Sequence, residues 1–281
     1  MNKVPYIFFQ KKKIRKGSGK LGVFPFRKTV SRRRAPETER CLGSDVRTVA
    51  ESNCRVPRHL GIIIDGNRRW ARQKNLPLLE GHRQGLENIK KIGDWCRKKG
   101  VKILTLFVFS TENWHRPINE VKYLMRLLAD SLSKDNVEKL HKDGIKIKII
   151  GQRKNLSKDF QKTIKEAEET TKHNKKGILN LALSYGGRAE IVEAVKRIIR
   201  KKISPNKIDE KSFEKNLWTE NEPPLDLIIR TGGEKRISNF LIWQAAYSEL
   251  YFSNKYWPDF NKKDLEAAFR DYSLRQRRYG R

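Results

Sequence analysis

The sequence predicts an α/β fold: one domain with a mostly parallel central sheet flanked by helices, behind a disordered basic arm. Three observations lead there. From Arg58 onward, short apolar runs rich in β-branched residues alternate with stretches of about 10 to 20 residues at helical spacing, the mark of βαβ units. The first 57 residues break that pattern, holding 15 Lys/Arg and 4 Asp/Glu, +11 of the chain's +31. Hydrophobic residues make up 37% of 281, enough for one core, while no apolar run nears the ~18 residues needed to cross a bilayer.

The elements follow in order. Residues 60–64 form a short apolar strand, then a Gly/Asn turn and a helical stretch. Residues 81–99 read as a helix with Ile89, Ile92, Trp95 and Cys96 on one face, and 101–109 as the next strand. Residues 119–142 read as one long amphipathic helix carrying Val121, Leu124, Leu127, Leu128, Leu132 and Val137 at helical spacing. Strands at 145–150, 178–183, 225–229 and 249–252 alternate with helices at 157–173, 189–202 and 262–277. There is no internal repeat.

Residues 1–56 read as the arm and 57–281 as the folded domain. The arm's basic clusters (Lys11 to Lys13, Arg32 to Arg34) and short apolar patches do not offset the entropy of ordering. Gly17-Ser18-Gly19-Lys20 lacks the first glycine, the following Ser/Thr and the preceding strand of a phosphate loop. Three explanations of the arm stay open: an organelle-targeting sequence, a polybasic tether to a membrane surface, or a mis-assigned start. Three cysteines (Cys41, Cys54, Cys96) without a CxxC pair exclude a disulfide framework and a cysteine-built zinc site. The expected location is cytoplasmic, with membrane association as an option.

A net charge of +31 draws the chain to phosphates of some kind, and the strand ends say which kind. In open α/β sheets, ligands bind beyond the carboxyl ends of the strands. After the first strand comes Asp65-Gly66-Asn67-Arg68-Arg69-Trp70: a carboxylate suited to Mg²⁺, a glycine admitting a ligand, and cationic donors at a helix start. His82 follows in Gly81-His82. After the second comes Ser110-Thr111-Glu112-Asn113-Trp114-His115-Arg116-Pro117, dense in donors and acceptors. After the fourth comes Ser184-Tyr185-Gly186-Gly187-Arg188. After the fifth, Arg230, Arg236, Ile237 and Ser238 surround paired glycines, a set suited to a diphosphate. Glu249 stands downstream as a second carboxylate.

At these residues the chain resembles the cis-prenyltransferase family, the isoprenyl transferases of the undecaprenyl diphosphate synthase group. Four ordered blocks carry the resemblance: HLGIIIDGNRRWA from His59, FSTENWHRP from Phe109, LSYGGRAEI from Leu183 and DLIIRTGGEKRISNFLIWQAAYSELYF from Asp226. It implies a Mg²⁺-dependent homodimer that condenses isopentenyl diphosphate onto an allylic diphosphate, usually farnesyl diphosphate, without a DDxxD motif. It further implies Asp65 as the essential aspartate at Mg²⁺ and the diphosphate, with Glu249 as second metal ligand. Gly66, Asn67, Arg68, Arg69 and His82 would cradle the allylic diphosphate, with Trp70 packed beside it. Ser110, Thr111, Glu112, Asn113, Trp114 and Arg116 match a loop that closes over the substrates, Asn113 helping to remove the proton. Arg230, Arg236 and Ser238, with Ile237 between them, match the isopentenyl diphosphate site.

Three positions depart from the family pattern. Leu78 stands where an arginine precedes the Gly-His histidine by four residues, removing one cation. Ser184 replaces a common asparagine, and Arg68 replaces a glycine of many bacterial members. The resemblance implies an apolar tunnel walled by the 119–142 helix, where Leu124, Leu128 and Leu132 face substrate or core, and a medium-chain product. Arg278-Tyr279-Gly280 resembles an Arg-x-Gly tail that reaches a partner's site, or is a plain basic terminus. Two rivals remain: a nucleic-acid-binding protein, which would need a basic stripe with stacking aromatics, and a silent subunit of a heteromeric prenyltransferase. The special arginines sit at strand tips and the motifs are kept, so the sequence favours an active enzyme with no specific nucleic-acid partner.

Overall fold

The computed structural model describes residues 55–275; the arm through residue 54 and the Arg278-Tyr279-Gly280 tail lie outside them. Six strands form one sheet in the order β3-β4-β2-β1-β5-β6, parallel throughout. They are β1 (His59–Ile63), β2 (Ile103–Ser110), β3 (Ile145–Ile150), β4 (Gly177–Tyr185), β5 (Leu227–Arg230) and β6 (Glu249–Phe252). Helices occupy the connections: α1 (Asn67–Gln73), α2 (Leu78–Lys98), α3 (Ile118–Ser131), α4 (Lys134–Lys142), α5 (Lys158–Thr171), α6 (Gly187–Arg200), α7 (Glu210–Glu214) and α8 (Lys262–Leu274). A sheet covered on both faces needs strands apolar on both faces. Accordingly β1 and β5 are buried along their whole length. Leu60, Ile62, Leu227 and Ile229 pack into one core layer, Ile63 and Ile228 into the other.

The long helix expected over 119–142 is two helices. Buried Leu124, Leu128 and Leu132 keep a four-residue step, but the next buried residue, Val137, comes five later. Five residues overshoot a helical stripe by more than a third of a turn. The chain resets at Ser133, whose extended backbone (φ −57°, ψ 155°) separates α3 from α4. α7, at five residues, is too short to give a periodic signal in the sequence; it starts on a capping box between Asp209 and Ser212.

α1 crosses α2 closely enough that a side chain at Gly81 would begin 2.1 Å from the Asn67 carbonyl oxygen. That contact needs glycine, and it fixes the turn after β1. Asn88 of α2 donates to the Trp257 and Phe260 carbonyls (2.7 and 2.8 Å), and Trp257 Nε1 donates to the Gly85 carbonyl (2.7 Å). The Trp257 amide in turn donates to the Asp65 carbonyl (3.0 Å). The backbone of Asp65 is thus anchored to buried structure, and all parallel strands deliver their loops to the same edge of the sheet.

Candidate active site

Asp65 leaves β1 at the centre of that edge, and two arginines hold its carboxylate. Arg230 Nη2 donates to Oδ2 (2.8 Å), and Arg69 Nη2 lies 3.2 Å from Oδ1. Arg230 is buried, at 4% exposure. Its other terminal nitrogen donates to the Ser238 hydroxyl oxygen (2.7 Å) and the Arg236 carbonyl. Arg69 also pairs with Glu234 (3.3 Å) and stacks on Tyr256. Arg236 is mostly exposed and paired to Glu234, while Ile237 anchors its loop against the apolar core. Gly66, at φ 107°, makes the turn into α1, a conformation that favours glycine.

A second cluster stands across the cleft. Glu120, buried in the first turn of α3, accepts from His82 Nε2 and Arg116 Nη1, each at 3.1 Å, with Arg68 Nε at 3.7 Å. Burial lowers the His82 pKa, against the opposing pull of Glu120, so the neutral ring is favoured. Burial also lowers the Arg116 pKa, Glu120 again opposing. Glu120 was not singled out from sequence. An acid in a helix's first turn reads as a partner for the dipole; only its i,i+4 spacing from Arg116 hints at more. Arg72, one turn beyond Arg68, was also missed and lines the same cleft.

The loop after β2 closes on itself. The Ser110 amide donates to Asn113 Oδ1 (3.0 Å) in a capping box, and Thr111 Oγ1 donates to Glu112 (3.1 Å). Trp114 packs edge-on against Phe109 and donates its Nε1 to the Ser184 hydroxyl (2.9 Å). Asn239 Nδ2 donates to Glu112. Burial pushes the Glu112 carboxyl up, but hydrogen bonds led by that from Asn239 outweigh it and hold the pKa low. Four residues here have left-handed backbone without being glycine: Ser184 (φ 50°), Ser238 (47°), Asn239 (66°) and Leu241 (44°). Trp70, on α1, is half-buried with its indole N–H unpartnered among the described residues.

Asp65, Gly66, Asn67, Arg68, Arg69, His82, Ser110, Asn113, Arg116 and Arg230 therefore line one cleft. Glu249 does not join them. It opens β6 in register with Leu227, whereas Arg230 at the cleft pairs with Phe252, so it stands three residues, about 10 Å, back from the strand tips. Its carboxylate binds Arg275 (2.8 Å). The described residues hold no cluster of three or more His, Cys, Asp or Glu suited to a metal.

Next to the cationic cleft lies an apolar cavity between the sheet, α2, α3 and α4. Its walls include Ile89, Leu104, Leu128, Leu132, Leu140 and Ile147. Val108 lines both spaces, and Leu124 of the cleft lies one turn before Leu128 of the cavity on α3.

The prenyltransferase family model, described as undecaprenyl diphosphate synthase, matches residues 63–280. The chain belongs to this family. It is 49% identical over 232 residues to a geranylgeranyl-diphosphate-specific tritrans,polycis-undecaprenyl-diphosphate synthase of Thermoplasma volcanium, covering 80% of this chain and 89% of that one. It is 44% identical over 232 residues to a farnesyl-diphosphate-specific ditrans,polycis-undecaprenyl-diphosphate synthase of Legionella pneumophila, covering 81% and 97%. Among solved structures, lavandulyl diphosphate synthase from Lavandula x intermedia, in complex with dimethylallyl diphosphate, superposes with a TM-score of 0.77 at 38% identity, covering 80% and 99%. The fold expected from the sequence is the one found. As a member of the undecaprenyl diphosphate synthase family this chain is a prenyltransferase, and the family match runs through both the cleft and the cavity walls.

Proposed function

We propose that the enzyme condenses isopentenyl diphosphate repeatedly onto farnesyl diphosphate with Mg²⁺, giving a medium-chain polyprenyl diphosphate that serves as a lipid-carrier precursor. One observation carries this reading: a cleft of arginines adjoins an apolar cavity, with Val108 in the wall of both and Leu124 of the one a helical turn from Leu128 of the other. A ligand that fits both has an anionic head and a long hydrocarbon tail.

Asn67, Arg68, Arg69 and His82 hold the allylic diphosphate in this reading, and Arg230, Arg236 and Ser238 hold that of isopentenyl diphosphate. Arginine forks stabilise charge as the allylic C–O bond breaks and its electron pair leaves with the diphosphate. The alkene of isopentenyl diphosphate forms the new C–C bond at that carbon. A proton is then lost with the help of Asn113, leaving a cis double bond. The loop from Ser110 to Arg116 excludes water from the cationic centre.

Asp65 is the carboxylate for Mg²⁺. The donor set fits, because Mg²⁺ is commonly held by one or two carboxylates together with substrate phosphates and water, and Asp65 faces the diphosphate cleft. When bound it supplies neutralisation of the phosphate oxygens. Within one chain Glu249 stands back from the strand tips and binds Arg275. A homodimer is part of the proposal, supported by the exposed apolar row Val192, Val195 and Ile199 on α6. So are a cytoplasmic location, with which the free buried thiol of Cys96 agrees, and a membrane-surface or targeting role for the arm. No helix among the described residues is long and apolar enough to cross a membrane.

The test is product analysis. Full-length protein is given labelled isopentenyl diphosphate, Mg²⁺ and either farnesyl or geranylgeranyl diphosphate, with Asp65→Ala alongside. Mg²⁺-dependent elongation from farnesyl diphosphate, lost in the variant, is expected. Elongation from geranylgeranyl diphosphate alone would overturn the primer, and none from either would revive the silent subunit.

A further inference from the structure

At the amino ends of the strands the apolar cavity has charged residues in its wall, Asp94, Arg97 and Asp143 among them. Lys102 and Lys139 line it and are exposed. Beside them, Lys98 ends α2, and Lys175 and Lys176 precede β4. The Lys176 amide donates to the Gly144 carbonyl and the Ile178 amide to the Lys102 carbonyl (3.0 and 2.9 Å), which joins these segments into one surface. It lies at the amino ends of β2, β3 and β4, the opposite edge of the sheet from the diphosphate cleft.

The charges here do not balance. Arg97 is matched to Asp94 and Asp143, Lys99 to Glu266, Lys142 to Glu138 and Lys172 to Glu169. Lys98, Lys102, Lys139, Lys175 and Lys176 are all exposed and have no ion pair among the described residues. Lysines without an ion pair among the described residues, set beside the wall of an apolar cavity, suit a partner that is anionic at its surface and apolar beneath it. Single-stranded nucleic acid would ask instead for aromatic platforms, and none of these positions supplies one.

We propose that this face docks on an anionic lipid bilayer, directing the cavity mouth towards the hydrocarbon layer. The inference rests on the reading that the cavity takes an isoprenoid tail. It differs from tethering by the arm, because it assigns the contact to lysines of the folded domain. A tail that outgrows the cavity would then emerge into lipid instead of water.

Sedimentation of the full chain with vesicles tests this, using phosphatidylcholine alone or mixed with phosphatidylglycerol. Binding to the mixed vesicles only, weakening with salt, is expected. The triple variant K98A/K175A/K176A should bind about 100-fold more weakly, given the usual worth of a lysine at an anionic surface. The triple K154A/K158A/K162A, equal in charge but at the other edge of the sheet, should bind like the parent. Equal loss in both triples, or none in the first, would overturn the proposal in favour of bulk charge or the arm. So would a first triple that keeps vesicles but loses single-stranded RNA. Prenyl transfer in detergent should be unchanged in K98A/K175A/K176A. Absence of transfer in the parent would strike the catalytic reading while leaving the vesicle result to stand.

Discussion

Asn239 donates its side-chain amide to Glu112 at 2.9 Å, joining the loop after β5 to the loop after β2. The same residue accepts from the Arg188 amide at 2.9 Å through Oδ1, and from the Gly187 amide at 2.7 Å through its carbonyl. Three strand-tip loops therefore meet on one side chain. Gly186 leaves room for it, since a Cβ there would lie 2.6 Å from Asn239 Nδ2 and 2.7 Å from Thr111 Oγ1. Asparagine also tolerates the left-handed backbone better than most residues.

Removing that junction should loosen the loop from Ser110 to Arg116, which the proposed mechanism places over the substrates. We expect Asn239→Gly, which keeps the backbone conformation and loses the bonds, to lower kcat/KM by about 10- to 100-fold, the worth of a hydrogen bond to a charged group. Steady-state kinetics on both substrates checks this. A Gly variant with parental kinetics beside an impaired Asn239→Ala would mean that backbone strain, not the Glu112 bond, matters.

Arg230 links Asp65 to Ser238 from a buried position. Arg230→Lys retains the charge but loses the fork, so at most one of the two contacts survives. The expected result is a fall in kcat/KM of about 100-fold or more, with a higher KM for isopentenyl diphosphate, since breaking a buried charged contact costs about 2–5 kcal/mol. Unaltered KM in a folded Arg230→Lys enzyme would remove Arg230 from that subsite.

Leu128 borders the cavity one turn beyond the cleft. Leu128→Trp should fill the path of a growing tail and shift products towards shorter chains, with the first condensations retained. Chromatography of dephosphorylated products gives the answer. An unchanged longest product would place the tail along another wall.

Stability should fall on mild acidification. Burial lowers the pKa of both His59 and His82 in the folded protein. The unfolded chain therefore takes up protons first as pH drops below the usual histidine value of about 6.5. The stabilisation is complete above that value and is lost as pH falls towards the folded-state pKa values. Urea midpoints at pH 7.5 and 5.5 should show the loss, and His59→Gln should reduce its slope. His59 Nε2 meets Thr105 Oγ1 at 2.8 Å in the buried network that includes Asn180, and Gln is able to keep that bond.

The strands were readable because β-branched runs between turn residues leave few alternatives, and the strand-tip rule then led to Asp65, Arg68, Arg69, Asn113 and Arg230 in one cleft. Glu120 was hidden because a single acid in an amphipathic helix has several ordinary uses, and only tertiary packing brings His82 to it from α2. Asn239 was passed over beside Ser238 and Arg236, since nothing in its neighbours announces a left-handed residue reaching two other loops. The break at Ser133 was legible in principle, in the five-residue step from Leu132 to Val137. Glu249 shows the opposite limit. Sequence order places it soon after the fifth-strand motif, but register decides which end of a strand a residue occupies.

The left-handed serines, asparagine and leucine round the cleft have a practical corollary for anyone breeding a hardier form of this enzyme. Such positions cost of order 1–3 kcal/mol each, so Ser184→Gly or Ser238→Gly would be early winners in a heat screen, whereas at Leu241 the lost apolar burial would outweigh the relief. Ser184 holds Trp114 by its hydroxyl, Ser238 accepts from Arg230, and Leu241 is wholly buried. Survivors selected on temperature alone would pile up in the loops at the strand tips, trading turnover for shelf life, whereas a screen that scores product would leave those sites untouched.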